Sequence, residues 1–249
     1  MSAMAALAAP CLNNREMNKL RLKPVSVTDE QIRNHYETCT FDLLPYSEHR
    51  QFRLLLCDGN MHVIRKRVSS ADVLRSECLK FLPVGVYQTV SLWSDPSSLS
   101  NKGSPKHGGS TVVSNSFMGA DLLLDFDAAH CSHANLKLAF DWLQATCFAY
   151  DLPLKIVRTG SGYHFWVLGW YSLQRLGYTS SPFRREQKCL HAMRKKVTSL
   201  KASGLRFDYN ISVDTRRLAR VPGSLHANGK PIVTLAPSVF DASLNSLQR

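Results

Sequence analysis

The 249-residue sequence lacks several patterns that would settle its class at once. It has no run of about 18 apolar residues, which is the length that a membrane-spanning helix needs. Glycine and proline number only 13 and 11, too few for a collagen-like or low-complexity chain. Seven cysteines are present, but none forms a C-x-x-C pair, and an odd, scattered set argues against a disulfide framework. We therefore predict a globular protein of a reducing compartment, with no membrane segment.

Acidic residues are scarce in one stretch of the chain. The whole sequence carries 31 Lys and Arg against 19 Asp and Glu, for a formal net charge of +12. Between Lys155 and Lys230, 15 basic residues face only three acids, so this stretch accounts for the whole excess. Charge that is confined to one region favours binding of nucleic acid or nucleotides over a general solubilising role.

Local signals predict helices and strands that alternate along the chain. Capping residues at Thr28 and Ser70 start helices that end near residues 38 and 81. Further helices are predicted over 132–150 and, from Ser181-Pro182, as a basic helix that ends near residue 204. Strands are predicted over 52–57, 61–65, 84–93, 120–127, 154–158, 163–168, 207–213 and 231–235.

This order of elements predicts an α/β or α+β fold in which flanking helices cover a mixed sheet. We expect one domain over residues 25–249 after a flexible lead-in over residues 1–24. The Ser-, Gly- and Pro-rich stretch 94–111 has no periodicity, and we predict a mobile loop there.

Two carboxylates end a short apolar run, Leu122-Leu123-Leu124-Asp125-Phe126-Asp127. Alternate residues of a strand face the same side, so Asp125 and Asp127 would project together. Carboxylates held that close repel each other unless a cation lies between them, and oxygen ligands favour Mg²⁺ or Mn²⁺. The D-x-D pattern is common, however, and a strand that ends in a solvated acidic turn has it too.

Small residues separate the next two predicted strands, in the segment Thr159-Gly160-Ser161-Gly162-Tyr163-His164. Such residues let backbone N–H groups approach a phosphate, with His164 directed at the same edge. A plain glycine-rich hairpin with a surface histidine is the alternative.

The segment from residue 207 to His226 supplies acids, arginines and a histidine within twenty residues. The acids can complete a metal site, and Arg and His can neutralise a triphosphate. Ion pairing among Asp214, Arg216 and Arg217 is the structural alternative.

These motifs resemble, in their order, those of the small catalytic subunit of archaeal and eukaryotic DNA primases. The most specific part is the last, where Asp208 and Asp214 precede the run Arg217-Leu218-Ala219-Arg220-Val221-Pro222-Gly223-Ser224-Leu225-His226. The segment Glu48-His49-Arg50-Gln51-Phe52 is similar to the H-R-E-F segment of that family. The resemblance spans roughly residues 36–240.

The resemblance implies an RRM-like catalytic core and a role for each matching residue. Asp125, Asp127 and Asp208 would be the catalytic carboxylates and would hold two Mg²⁺ or Mn²⁺ ions. The nucleotide site would be lined by Arg50, Ser161, His164, Arg220 and His226. The family's zinc site has no good match, because His130, Cys131, His133 and Cys147 are poorly spaced for tetrahedral zinc, which argues against this metal.

The activity implied is template-dependent nucleotidyl transfer, with short RNA or DNA primers made from nucleoside triphosphates on single-stranded DNA. The resemblance allows for a primase large subunit as a partner, in the cytoplasm of an archaeal or viral source or the nucleus of a eukaryotic one. A repair or translesion primase-polymerase, an end-joining polymerase and a catalytically inactive nucleic-acid-binding subunit are the alternatives. On the basic helix, Arg184, Lys188 and Lys195 can share one face, directed at a template backbone or at solvent.

Overall fold

The computed structural model describes residues 27–99, 116–160, 162–172, 181–226, 229 and 231–246. The predicted lead-in over 1–24 and the larger part of the loop over 94–111 lie outside the described residues. The described part of that loop contains a short 3₁₀ helix, Pro96–Ser98.

Helices begin where local capping predicts them. Helix α1 (Asp29–Thr38) starts at a complete capping box between Thr28 and Gln31. Side-chain oxygens of Ser70 and Ser132 cap α2 (Ala71–Phe81) and α3 (His133–Tyr150). Two further helices follow, α4 (Pro182–Ala202) and α5 (Pro237–Ser246), of which the sequence analysis missed the second. None of the described helices combines the length and the apolar character that crossing a bilayer requires.

The described strands form two sheets. They are β1 (Phe52–Leu55), β2 (Met61–Val63), β3 (Gly85–Thr89), β4 (Ser91–Trp93), β5 (Phe117–Phe126), β6 (Leu154–Arg158), β7 (Tyr163–Tyr171), β8 (Leu218–Arg220) and β9 (Val233–Leu235). One sheet has the order β2-β1-β3-β8 and the other β4-β5-β7-β6-β9. The pairings of these strands are antiparallel, so the fold is α+β with flanking helices, and the mixed sheet that we expected is two antiparallel sheets.

The predicted strand over 84–93 is divided between the two sheets. Strand β3 pairs with β1 and β8, whereas β4 pairs with β5. Val90 lies between them, and its N–H donates to the Arg217 carbonyl while its carbonyl accepts from the Asp121 N–H. The chain therefore passes from one sheet to the other at Val90, because the residues on its two sides find different partner strands.

Strand β5 is apolar on both faces because both faces are covered. Leu122, Leu124 and Phe126 pack into a core with α3, α4 and α5. Leu123 faces the other way, into a smaller core that contains Trp166 and Ala219 and lies between the two sheets. A separate core fills the space between the four-stranded sheet and helices α1 and α2.

Residues 207–213 do not form the predicted strand. They form a turn and a 3₁₀ helix, Ile211–Val213. The Asp208 carboxylate accepts the N–H of Asn210, and the Ser212 hydroxyl donates to the Asp208 carbonyl. Such local side-chain hydrogen bonds compete with strand pairing, and in this segment they stabilise the turn in place of a strand.

Candidate active site

Asp125 lies near the end of β5, directly opposite His164 on β7. The His164 Nε2 atom is 3.4 Å from Asp125 Oδ1, and the two side chains are 9% and 16% exposed. Both residues lie on the sheet face that carries Leu123 and Trp166. The imidazole therefore adjoins a carboxylate that is mostly shielded from solvent.

Asp127 follows β5 and caps the 3₁₀ helix Ala128–His130. Its Oδ1 atom accepts the Ala129 N–H at 2.9 Å and lies 2.8 Å from Nδ1 of His130. The Asp127 side chain is 57% exposed. Asp125 and Asp127 keep the alternate positions that the D-x-D pattern predicts. The Asp127 carboxylate, however, caps the 3₁₀ helix that follows the strand.

Asp208 lies beside Asp125 although the two are far apart in sequence. The Asp208 N–H donates to the Asp125 carbonyl oxygen at 2.8 Å. The neighbouring Phe207 ring packs against Phe126, with centroids 6.2 Å apart. The structure thus brings the backbones of the three residues that carry the predicted carboxylates to one end of β5.

Asn135 on α3 connects the two segments that carry Asp127 and Asp208. Its amide nitrogen donates to the carbonyls of His130 and Arg206, at 2.8 and 2.6 Å. Its amide oxygen accepts the Arg206 N–H at 2.9 Å. Sequence reasoning missed this residue, because an asparagine in the first turn of a helix gives no sign of what it will bind.

The three carboxylates suit a divalent cation in kind, since Mg²⁺ and Mn²⁺ prefer carboxylate oxygens. Across the described ranges, no three His, Cys, Asp or Glu side chains converge tightly enough to hold a metal ion as they stand. The reason is local, because Asp127 and Asp208 each accept a backbone N–H from their own turns. Both side chains lie on turns, with Asp127 exposed and Asp208 half-buried, and each would have to give up its hydrogen bond to reach a shared cation.

The glycine-rich turn between β6 and β7 packs against the same end of β5. A side chain at Gly162 would overlap the Phe126 carbonyl oxygen, so only glycine allows this approach. Gly160 has a φ of +76°, and a Cβ atom there would lie 3.3 Å from the His226 ring. The second and third motifs of the sequence therefore meet here; Ser161 itself lies outside the described residues.

Arg220 lies on β8 in the four-stranded sheet, where it is paired with Tyr87 of β3. Its guanidinium carbon is 4.8 Å from the centre of the Tyr87 ring. Arg53 of β1 lies opposite Tyr87 on the other side, so an arginine flanks the ring on each neighbouring strand. Burial raises the pKa of Tyr87, against the opposing influence of Arg220 and Arg217. Arg53 and Tyr87 were missed, because only the strand register brings them beside Arg220.

Arg50 does not line a nucleotide site, contrary to the role implied by the resemblance. It is 2% exposed, and its Nη2 atom forms a 2.7 Å ion pair with buried Asp121. The rest of the guanidinium donates to the carbonyls of Pro45, Thr89 and Val90. These contacts hold the guanidinium in the interior between the two sheets, where a phosphate cannot reach it.

Helix α4 carries the positive charge predicted for it. We call the exposed basic side chains along it the basic ridge, which consists of Arg184, Lys188, Arg194, Lys195 and Lys201. The acid of this helix, Glu186, is buried and accepts a 2.8 Å hydrogen bond from the Thr215 hydroxyl. The Arg216 guanidinium approaches Glu186 at 3.8 Å, and the Arg216 backbone N–H donates to the Asp214 carboxylate at 2.8 Å.

No protein-family model matches the sequence, and no curated protein matches it either. The fold, by contrast, is similar to that of a solved structure, the polymerase domain of ligase D from Mycobacterium tuberculosis in complex with DNA. The TM-score is 0.53, the match covers 89% of each chain, and the sequence identity is 12%. The chain has the fold of this polymerase domain. At this identity the likeness concerns the fold alone.

Proposed function

We propose that this protein is a metal-dependent nucleotidyltransferase of the primase type, which synthesises short primers on single-stranded DNA. The observation that carries the proposal is the 2.8 Å hydrogen bond from Asp208 to the Asp125 carbonyl. This backbone hydrogen bond holds the residue that carries the third carboxylate beside the D-x-D strand, and a shared cation site needs that proximity. The fold of a polymerase domain that binds DNA supports the same reaction class.

Asp125, Asp127 and Asp208 would hold Mg²⁺ or Mn²⁺. The bound ions would supply activation of the attacking 3′-hydroxyl and charge stabilisation of the pyrophosphate that leaves. His164, whose Nε2 atom lies 3.4 Å from Asp125 Oδ1, would orient the Asp125 carboxylate. Arg220 and His226 would neutralise the triphosphate, and the backbone N–H groups of Gly160 and Gly162 would approach it, since small residues allow that approach.

The basic ridge on α4 would bind the phosphate backbone of the template. Over this 21-residue helix the exposed charges are of one sign, because Glu186 is buried. A ridge of this kind binds without regard to sequence and weakens steeply with salt. Template-dependent synthesis needs such sequence-independent binding.

Extension of an existing primer is a second candidate reaction, in a repair or end-joining setting. The likeness to the ligase D polymerase domain favours it. The two reactions differ in one requirement, because a primer-extending polymerase needs an annealed strand with a 3′-hydroxyl and a primase does not. Synthesis from nucleoside triphosphates and Mn²⁺, with and without an annealed primer, separates them. Parallel reactions with ribo- and deoxynucleotides determine the sugar preference.

The first prediction concerns the carboxylates. Asp125→Asn and Asp208→Asn should each lower the rate of nucleotide incorporation by about 100-fold or more, because each removes a charge that the cation needs. Binding of single-stranded DNA, measured by fluorescence anisotropy, should change less than about twofold. Calorimetric titration should show weaker Mn²⁺ binding by both variants.

Asp141→Asn provides the matched control, since Asp141 is an exposed carboxylate on α3 that pairs only with Lys137 in the described structure. This variant should keep the parental rate. Parental incorporation by Asp125→Asn and Asp208→Asn together would show that the carboxylates are not the metal ligands. DNA binding without any incorporation by the parental protein would favour the non-catalytic alternative.

A further inference from the structure

A groove of about 440 Å³ lies where α4 ends, next to the proposed carboxylates. It is lined by His130, Lys201, Gly204, Leu205, Arg206, Phe207 and Tyr209. The resemblance to primases assigned none of these residues a role in nucleotide binding. The groove is formed by three separate pieces of chain, the end of α4, the segment before Asp208 and the 3₁₀ turn after β5.

The lining combines an aromatic ring with positive charge. The Lys201 ammonium lies 5.7 Å from the centre of the Tyr209 ring, and both Lys201 and Arg206 are exposed. Leu205 and Phe207 add an apolar floor, and no Asp or Glu belongs to the lining. An aromatic ring with adjacent cations is the arrangement that holds a nucleotide, through base stacking and phosphate contacts.

The groove adjoins the carboxylates on two sides. Tyr209 directly follows Asp208 in the chain, and His130 lies 2.8 Å from Asp127. The residues proposed for the triphosphate, Arg220 and His226, are not part of this lining. The groove is therefore a basic site separate from the one proposed for the triphosphate, and a reaction between two nucleotide substrates needs two such sites.

We propose that the groove binds the 3′-terminal nucleotide of the acceptor strand. Its base would stack on Tyr209, and its phosphate would contact Lys201 and Arg206. A volume of about 440 Å³ accommodates one nucleotide rather than a continuous strand, which fits a strand end better than a template. This inference rests on the proposed function.

The chemical step that this placement serves is nucleotidyl transfer. The 3′-oxygen of the acceptor forms a bond to the α-phosphorus of the incoming triphosphate, and the bond from that phosphorus to the bridging oxygen breaks. Pyrophosphate leaves with the electron pair, and the hydroxyl proton passes to solvent. The groove contributes by holding the acceptor beside the carboxylates, an effect of orientation.

Stacking at the strand end is tested with a ten-nucleotide oligothymidine that carries 2-aminopurine at its 3′ terminus. Binding to the parental protein should quench the 2-aminopurine fluorescence, and the same base placed in the middle of the strand should be quenched less. Tyr209→Leu should abolish the terminal quenching, whereas Tyr209→Phe should retain it, because phenylalanine keeps the ring. Equal quenching at both positions, or terminal quenching that Tyr209→Leu preserves, would overturn the proposal.

The charges are tested with the double variant Lys201→Glu/Arg206→Glu in primer extension. Its KM for the primer-template should rise by about tenfold or more, while its KM for the nucleoside triphosphate changes less than about twofold. The matched control is Arg33→Glu/Lys80→Glu, which makes the same change of charge at exposed sites on α1 and α2. This control should alter neither KM by more than about twofold.

The outcomes separate this inference from the proposed function. Terminal quenching that depends on Tyr209, in a protein that incorporates no nucleotide, would contradict the proposed function and leave the groove as a strand-end site. Active primer extension with an unchanged KM for the primer-template in Lys201→Glu/Arg206→Glu would overturn the inference and leave the proposed function in place.

Discussion

At the scale of single residues, burial decides the role of Arg50. This arginine lies in a segment that resembles a primase motif, but the structure encloses it with Asp121 and three backbone carbonyls. A charge in that setting is compensated only as long as its partner is present. Arg50 therefore belongs to the framework that supports the site.

Removing this charge has a predictable cost. Arg50→Met should lower the free energy of unfolding by about 3–5 kcal/mol, because it leaves Asp121 buried without its cation. The double variant Arg50→Met/Asp121→Leu should cost less than the sum of the two single variants. Urea unfolding measures all three. A stable Arg50→Met variant with a raised KM for nucleoside triphosphate would instead restore the arginine to the nucleotide site.

The positions of Asp125 and Asp127 could be predicted from the sequence because the argument for them is local, while their role as metal ligands stays a prediction. Asp125 lies near the end of β5, and Asp127 directly follows the strand. The orientation of the Asp127 side chain was beyond such an argument, since it depends on the cap that forms after the strand. Tyr87 and Arg53 could not be foreseen either, because three strands must pair in register before they meet Arg220.

At the scale of elements, the β6–β7 turn is fitted to β5 through Gly162. Gly162→Ala should lower nucleotide incorporation by about tenfold or more, because the added methyl group forces the turn or the Phe126 carbonyl out of place. Incorporation by the folded fraction is the measurement, with circular dichroism to determine that fraction.

Gly169→Ala is the control for this prediction. Gly169 has a φ of +69°, and nothing lies within 4 Å of its added methyl group. The substitution should cost about 1–2 kcal/mol of stability through backbone strain, without loss of incorporation at a temperature where the protein is folded. An equal loss of incorporation in both glycine variants would show that the close approach at Gly162 is unimportant.

Elements were predicted best where one short-range interaction defines them. The caps at Thr28 and Ser70 determine the starts of α1 and α2, and both helices begin as predicted. Residues 207–213 have strand-like composition, but the hydrogen bond from the Asn210 N–H to the Asp208 carboxylate forms a turn instead. The division of residues 84–93 between two sheets depends on partner strands that are distant in sequence. No local sequence pattern carries information about those partners. The groove beside Asp208 was missed for the same reason.

At the scale of the whole molecule, the cores enclose thiol and phenol groups that must remain neutral. Burial raises the pKa of each of five such groups, namely Tyr36, Cys78, Cys147, Tyr171 and Cys189. For Cys147 the pKa rises from 9.0 to about 11. In the unfolded chain these groups ionise at their ordinary pKa values, so the folded state binds more protons in alkaline solution.

The stability of the protein should therefore fall as the pH rises above about 9. The contribution of Cys147 is complete below its ordinary pKa of 9.0 and is lost as the pH passes through the folded value of about 11. Urea midpoints at pH 7.5, 9 and 10.5, with reductant present, should decrease in that order. Cys147→Val should show a shallower decrease than the parental protein. A midpoint at pH 10.5 equal to that at pH 7.5 would contradict the prediction.

The crossing at Val90 also has a mechanical consequence. One guanidinium, that of Arg50, bonds the carbonyls of Thr89 and Val90 and the carboxylate of Asp121, and so clamps β3, the crossing and β5 together. A swing of one sheet against the other would have to break this buried ion pair and its two carbonyl contacts, which is costly. Exposed side chains carry no such cost and reorient within nanoseconds, whereas hinge motions take microseconds to milliseconds.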